Sequence, residues 1–171
     1  MPKGALFFCD THVNVDPTAE QLAEATILAA EAVRGFGITP KVALLSHSSF
    51  GSSNSPSARK MRQALAIVRE LAPGLEVDGE MHGDAALNQA VRERYVSSGS
   101  FSGDANLLIA PSLDAANISL TLLSAATDGL LVGPLLLGLS KPLHVLSPTA
   151  TARGIVNMTA LVASQAVTVR A

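Results

Sequence analysis

A serine-rich segment is the densest group of side chains in this sequence that could bind a ligand. Seven serines lie from Ser46 to Ser57, and the part from Ser46 to Ser53 sits between an apolar stretch and a predicted helix. Free backbone N–H groups and hydroxyls at such a junction can surround an anion. A solvated loop without a ligand is the alternative interpretation. The segment lacks the lysine and the spacing of a P-loop, so hydrolysis of nucleoside triphosphates is not indicated.

A second polar group follows the first predicted strand. Asp10, Thr11 and Asn14 lie where open α/β sheets bind ligands. Asp10 fits a ligand contact and a turn-stabilising side chain equally well. The single cysteine, Cys9, excludes an internal disulfide and favours a reducing cytoplasm. Its apolar neighbours indicate a small buried side chain rather than a reactive thiol.

The remaining acidic and amide side chains near predicted strand ends are Asp78, Glu80, Asp84, Asn106 and Asn117. The acidic ones could resemble a metal site. We interpret them instead as hydrogen-bonding groups that hold a strand end to the next helix, because a buried carboxylate must be paired.

The four histidines do not predict a metal or a catalytic base. Their positions, 12, 47, 82 and 144, match no metal-binding spacing. A serine hydrolase is not indicated either, because the sequence has no Gly-x-Ser-x-Gly motif. We therefore expect no metal in this chain.

Hydrophobic patterning predicts alternating strands and helices, which is typical of a parallel sheet covered by helices on both faces. Strands are predicted at 5–9, 41–46, 75–78, 106–111, near 132–137 and at 143–146. Helices are predicted at 18–34, 56–71, 84–94, 114–127 and 151–167. The first helix could begin with Asp16 as its cap before Pro17, or with a capping box formed by Thr18 and Gln21.

Composition restricts the class of protein. The 171 residues are 48% hydrophobic and 15% charged, which suits one folded domain rather than a disordered chain. Low charge favours a subunit interface. With a net charge of −2 and 4% aromatic residues, the sequence offers neither the basic surface nor the stacking side chains that nucleic-acid binding uses. The longest apolar stretch, 130–139, is about half a membrane span, and no signal peptide is visible, so no membrane association is expected.

Six segments, in this order, resemble the C-terminal half of phosphotransacetylases, the phosphate acetyl/butyryl transferase family. They are LFFCDTHVNVDPTAEQLAE, KVALLSHSSFGSS, LEVDGEMHGDAAL, ANLLIAPSLDAANI, VGPLLLGLSKP and LHVLSPTATARGIV. The resemblance covers nearly the whole chain. The variants DTHVN, SHSSFGSSNSPSARKM and SPTATARGIVNM are most similar to the subgroup fused behind NADP-dependent malic enzymes, in which this domain binds acetyl-CoA as a regulator.

The resemblance implies that the catalytic residues have been replaced. Active members carry an arginine directly after the serine that matches Ser147 and an aspartate seven residues after it, where this chain has Pro148 and Gly154. Proline cannot clamp a phosphate as a guanidinium does, and glycine cannot accept the proton of the CoA thiol. Thr11 stands where active members have a cysteine. Arg153 would point away from the missing arginine's place, so we interpret it as a surface or interface residue.

The resemblance also implies a fold and a domain organisation. The expected fold is a three-layer αβα arrangement with a mostly parallel sheet, isocitrate/isopropylmalate dehydrogenase-like as in phosphotransacetylases. Residues 1–142 would form the second domain of that fold. Residues 143–171 would supply a strand and a helix that in the family return to a first domain, which this sequence does not include.

Ligand contacts are expected from the loops that match the family's cleft. The candidate residues are Asp10, Thr11, Ser46, Ser48, Gly51, Ser52, Ser147, Thr149 and Thr151. The expected ligand is acetyl-CoA or CoA, with acetyl-CoA as an effector and no cofactor bound for catalysis.

Three functions follow from the resemblance as hypotheses. The first is a cytoplasmic, dimer-forming regulatory domain without acetyltransferase activity, joined to the catalytic domain of an NADP-dependent malic enzyme that oxidises malate elsewhere in the chain. The second is an active phosphate acetyltransferase that converts acetyl-CoA and phosphate into acetyl phosphate and CoA. The third is a segment whose only role is to dimerise.

Overall fold

The described part of the chain forms one four-stranded parallel sheet. The computed structural model describes residues 4–96, 99–127, 129–146, 148 and 150–168. The strands are β1 (Phe7–Cys9), β2 (Lys41–Leu45), β3 (Glu76–Met81) and β4 (Leu107–Ile109), in the order β1-β4-β2-β3. Every neighbouring pair is parallel. The predicted α/β class with a parallel sheet is therefore confirmed.

Helices cover both faces of this sheet. In chain order, the described helices are α1 (Ala19–Gly35), α2 (Pro56–Leu71), α3 (Gly83–Ala86), α4 (Gln89–Arg92), α5 (Leu113–Thr127) and α6 (Ala152–Thr168), of which α1 to α4 lie wholly in the unit that contains the sheet. Helices α1 and α2 pack on each other and on the strands. Helices α3 and α4 contribute to a separate apolar cluster built on Ala43, Met81 and Leu108. The alternate residues of β2, Val42 and Leu44, are fully buried and point to the opposite face. The result is the predicted three-layer arrangement.

The two longest helices of the first hundred residues begin at side chains that the sequence indicates. Thr18 caps α1, and its hydroxyl and the Gln21 side chain form a reciprocal capping box, so the second of the two predicted starts is the correct one. Ser55 caps α2, with Pro56 in the first turn, where its missing N–H has no cost. These caps fix where the polar loops before each helix end.

The prediction of one continuous helix at 84–94 is wrong. The segment forms the short helices α3 and α4, separated at Leu87 and Asn88. The Asn88 side chain accepts hydrogen bonds from the backbone N–H groups of Ala90 and Val91, so it starts a new helix. This local side-chain bond competes successfully with helix continuation.

The predicted strands at 132–137 and 143–146 are also wrong, since the structure shows irregular backbone at both places. Gly133 has a φ of 138°, and Pro134 has no N–H for a sheet hydrogen bond. The described residues that follow α5 contain no strand, so neither segment has a partner strand there. The backbone N–H of Leu136 instead donates to the His144 ring.

Contacts divide the chain into two compact units, Met1–Leu120 and Thr121–Ala171. All four strands belong to the first unit, and α6 belongs to the second. This division reflects contacts within the chain, and the family-based boundary at 142/143 stays a prediction. No described helix is long and apolar enough to cross a membrane.

Candidate anion-binding loops at the carboxyl edge of the sheet

The predicted ligand residues of the first unit all lie beyond the carboxyl ends of parallel strands. Asp10 and Thr11 follow β1, and the loop of residues 46–55, the serine loop, follows β2. Because parallel strands end at the same edge of a sheet, these loops share one edge, where open α/β folds bind ligands. Strand β3 runs three residues further than predicted and places Glu80 near this edge.

Asp10 is the hydrogen-bonding centre of its own loop. Its Oδ1 accepts from the backbone N–H groups of His12 at 3.0 Å and Val13 at 3.1 Å. Its Oδ2 accepts from the backbone N–H of Asn14 at 2.8 Å and from the Asn14 side chain at 2.7 Å. Burial raises the pKa of Asp10, but these hydrogen bonds outweigh it and hold the pKa below its usual value. The geometry supports the turn-stabilising role, and a ligand contact stays a prediction.

We expect Asp10→Ala to lower the free energy of unfolding by about 1 kcal/mol at neutral pH, the usual magnitude for a side chain that caps backbone N–H groups. Since the folded pKa is lowered, the contribution is present above the ordinary value of 3.8 and is lost as the pH falls through the folded pKa. Urea unfolding between pH 7 and pH 2.5 measures it.

The matched control is Asp16→Ala, because the Asp16 side chain is 82% exposed and pairs only with Lys60 among the described residues. An exposed ion pair contributes little. Equal losses in the two variants would contradict the central role of Asp10.

Cys9 and Thr11 flank Asp10 without forming a reactive pair. Burial, followed by the charge of Asp10, raises the pKa of the Cys9 thiol to about 12. The thiol is therefore protonated at neutral pH and a poor nucleophile. The Thr11 hydroxyl is hydrogen-bonded to the His12 ring at 2.7 Å, and its carbonyl accepts from the Asn117 side chain at 3.3 Å.

The serine loop folds around the carboxylate of Glu80. The Ser48 hydroxyl donates to Glu80 Oε1 at 2.6 Å, and the Gly51 backbone N–H donates to the same oxygen at 3.0 Å. Arg62, from the second turn of α2, adds a charge-assisted hydrogen bond to that oxygen at 2.9 Å. The Phe50 backbone N–H donates to the Glu80 carbonyl at 2.7 Å. Four groups of the loop and of α2 thus converge on one residue of β3.

Glu80 is a fully buried charge. Burial raises its pKa, but the hydrogen bonds from Ser48, Gly51 and Arg62 outweigh this effect and hold the pKa below its usual value. Its second oxygen, Oε2, is buried and has no hydrogen-bond partner among the described residues. The hydrogen bonds to this carboxylate from the described residues are therefore all made to Oε1.

The other candidates in the serine loop also make internal hydrogen bonds. The Ser46 hydroxyl accepts from the Ser48 backbone N–H at 3.1 Å, and the Ser52 hydroxyl accepts from the Ser49 backbone N–H at 3.0 Å. Ser46 is half-buried, whereas Gly51 and Ser52 are exposed.

Histidines near this edge are hydrogen-bonded to the loop. The His82 ring bonds to the His47 carbonyl at 2.7 Å, and the His47 ring lies 3.3 Å from the Ser53 hydroxyl and 3.4 Å from the Ser55 hydroxyl. In the part of the chain that the structure describes, no three His, Cys, Asp or Glu side chains are grouped so that they could hold a metal.

The other acidic and amide side chains hold the fold together. Asp78 accepts from Arg69 of α2 at 3.1 Å and from the Ser100 backbone N–H at 3.0 Å. Asn106 bridges the Lys41 backbone N–H and the Thr39 carbonyl. The predicted hydrogen-bonding role of Asp78 and Asn106 is therefore confirmed. The predicted attachment to the next helix is wrong for Asp78, which joins β3 to the preceding helix α2.

The loop that would carry the family's catalytic residues lies in the second unit. Ser147 and Thr149 fall outside the described residues, and Pro148 is exposed. Thr151 precedes α6, and its hydroxyl accepts from the Gly154 backbone N–H at 3.1 Å, as an N-cap does. Gly154 therefore lies in the first turn of α6, and its replacement of a catalytic carboxylate stays a prediction.

An open surface pocket of about 340 Å³ lies beside this loop within the second unit. Its lining residues are His144, Leu146, Met158, Thr159, Val162 and Ala163. The two polar side chains are already used, because His144 bonds to the Leu136 N–H and to Gln165, and Thr159 donates to the Ile155 carbonyl. The pocket therefore presents mainly apolar atoms.

The pairing of Glu80 with Arg62 and Ser48 was not predicted. In the sequence, Arg62 lies in the second turn of the helix that follows the serine loop. This closeness of a positive charge to the loop was the available signal for a contact between them. The position of Glu80 depends on the length of β3 and on the pairing of β3 with β2, which is a tertiary feature.

Comparison with known proteins gives one family over nearly the full chain. The sequence profile of the family described as phosphate acetyl/butaryl transferase matches residues 1–163. An NAD-dependent malic enzyme from Rhizobium meliloti (strain 1021) is 57% identical over 93% of this chain and 21% of the enzyme. An NADP-dependent malic enzyme from Escherichia coli (strain K12) is 56% identical over 98% of this chain and 22% of the enzyme.

A solved structure agrees with these relatives. A phosphotransacetylase from Streptococcus pyogenes superposes with a TM-score of 0.90 and 35% sequence identity, over 94% of this chain and 49% of that chain. This chain therefore spans about a fifth of the length of the malic enzymes and half of the phosphotransacetylase.

Proposed function

Because this chain belongs to the phosphate acetyl/butaryl transferase family, we propose that it is the C-terminal regulatory domain of a malic enzyme, which binds acetyl-CoA without transferring its acetyl group. The observation that carries the proposal is the match at 56–57% identity along 93–98% of the chain to about a fifth of two malic enzymes. The phosphotransacetylase of solved structure is 35% identical. Malate oxidation would take place in the remainder of the parent chain.

The replaced side chains support the absence of acetyl transfer. Pro148 offers no positive charge to a phosphate, and Gly154, in the first turn of α6, has no side chain to accept a proton from a thiol. Acetyl-CoA would act as an effector only by binding one arrangement of subunits more tightly than another. The chain is nearly equally identical to an NAD-dependent and to an NADP-dependent malic enzyme. The use of NADP by the parent enzyme therefore stays a prediction.

A homodimer formed through the second unit is part of this proposal. Several large apolar side chains of that unit are about half exposed or more, namely Leu122, Leu130, Leu131, Val132, Leu139, Leu143, Val145, Ile155 and Val156. Apolar surface of this extent favours a subunit interface. Light scattering on the 171-residue chain would detect the dimer. A cytoplasmic location fits the single, unpaired cysteine.

We expect calorimetric titration with acetyl-CoA to show saturable binding to the 171-residue chain and to the longer malic enzyme proposed to contain it. Added phosphate should yield no acetyl phosphate. Desulfo-CoA is the control, because it keeps the nucleotide and lacks the acetyl thioester. Failure of both proteins to bind acetyl-CoA would contradict the effector role and leave dimerisation alone.

An active phosphate acetyltransferase is the second candidate. The TM-score of 0.90 to a phosphotransacetylase favours it. Formation of acetyl phosphate by the purified parent protein, abolished by Ser147→Ala, would select this candidate over the regulatory one.

A further inference from the structure

The donors around Glu80 are those of an anion-binding site. A serine hydroxyl, a backbone N–H and a guanidinium all direct hydrogen atoms at Oε1, at 2.6, 3.0 and 2.9 Å. The Ser48 hydroxyl accepts from the Ser53 backbone N–H at 2.9 Å, which leaves its own proton for Glu80. Such a set is what recognises a free carboxylate or phosphate oxygen.

The backbone of the loop is shaped for this carboxylate. Phe50 and Gly51 have φ values of 49° and 88°, and the N–H groups of both residues point at Glu80. A left-handed backbone is unfavourable for a non-glycine residue and persists only where surrounding contacts fix it. Here the contacts are of two kinds. The Ser52 backbone N–H donates to the Ser49 carbonyl at 3.1 Å and closes the turn, and the carboxylate and carbonyl of Glu80 accept from Gly51 and Phe50.

We propose that Ser48, Gly51 and Arg62 form a carboxylate-binding site whose resident ligand is the Glu80 side chain of the same chain. Glu80 is the positioning residue of the serine loop. An external anion does not take these three donors. Of the four candidate ligand residues in the loop, Ser48 and Gly51 therefore hold Glu80 rather than an external ligand. The inference stands apart from acetyl-CoA binding and from the regulatory role.

Removal of the resident carboxylate tests the site directly. Glu80→Ala leaves Ser48, Gly51 and Arg62 without their acceptor and opens a space that formate can enter. We expect formate, at constant ionic strength balanced with chloride, to raise the thermal midpoint of this variant saturably, as a ligand of the folded state does. It should also return the Gly51 amide resonance toward its wild-type position. Benzoate, which carries the same charge on a bulky ring, should do neither.

The matched control is Glu76→Ala, on the same strand and half-buried. This variant should not respond to formate beyond the wild type. An unsaturable response, or one equal in Glu76→Ala and Glu80→Ala, would overturn the proposal.

A measurement on the wild-type protein keeps the proposal testable if Glu80→Ala does not fold. Titration with formate or inorganic phosphate should leave the amide resonances of Ser48 and Gly51 unmoved, because Glu80 fills the site. A saturable shift of these two resonances would overturn the proposal. Failure of acetyl-CoA to bind would contradict the proposed function and leave this result unaffected.

Discussion

Arg62→Met is expected to lower the free energy of unfolding by about 3 kcal/mol at pH 7, because it leaves a buried carboxylate without its cation. Glu80 is fully buried, and Arg62 is its ion-pair partner at 2.9 Å. Methionine keeps much of the aliphatic stem and removes the charge. The loss would also include the Arg62 hydrogen bonds to the Ser53 carbonyl and the Asn54 side chain.

The pH dependence identifies the cause. In the wild type, hydrogen bonding holds the Glu80 pKa below 4.5, so its contribution to stability is present above 4.5 and is lost as the pH falls through the folded pKa. In the variant, burial acts with less opposition and raises this pKa. The difference between the two proteins should therefore shrink as acid neutralises Glu80, and urea unfolding between pH 7 and pH 3 measures it.

Two controls separate charge burial from a general loss of helix contacts. Arg59→Met removes a neighbouring arginine whose hydrogen bond goes to the Asn54 carbonyl, and should cost less than about 1 kcal/mol. Glu80→Gln in the Arg62→Met background should recover part of the loss. If the double variant is no more stable than Arg62→Met alone, an unpaired charge is not the cause.

Gly79→Ala is expected to lower the free energy of unfolding by about 3 kcal/mol, by adding backbone strain to overpacking. Gly79 has a φ of 147°, and a Cβ there would lie 2.8 Å from the Leu44 carbonyl oxygen and 3.0 Å from the Leu44 Cβ. Both neighbours belong to β2, which is paired with β3 in the sheet, so neither can move freely. Thermal unfolding should show a drop of about 10 °C for a chain of this length.

Gly74→Ala is the matched control. Gly74 lies between α2 and β3, and a Cβ there would meet no atom within 4 Å. A change within about 0.5 kcal/mol is expected at such a position. Similar losses at Gly74 and Gly79 would show that the close approach of β3 to β2 is not what requires a glycine.

The architecture could be predicted because its signals are local. Thr18 with Gln21, and Ser55 with Pro56, mark helix starts through side chains within three residues of the cap. Apolar runs mark β2 and β4 as buried strands and β1 as a half-buried strand. Where a local signal was weak, as at Asn88, the prediction joined two helices that the structure separates.

The candidate site was predictable only in part. Residue types indicated that the serine loop could surround an anion, and the structure shows it around a carboxylate of its own chain. The partner Glu80 is 32 residues from Ser48 and 18 from Arg62. Neither hydrophobic periodicity nor a helix-capping motif predicts such a contact, because the contact depends on the register of β2 against β3.

The sequence by itself determined the family and the alternation of strands and helices. Each of these can be recognised from residue types and their short-range spacing. The tertiary structure alone decided which carboxylate the serine loop holds and how buried that carboxylate is. It also decided that the segments at 132–137 and 143–146 are not strands. The physical reason is that a strand needs a hydrogen-bonded neighbour, and a buried charge needs a partner, and both are supplied by distant parts of the chain.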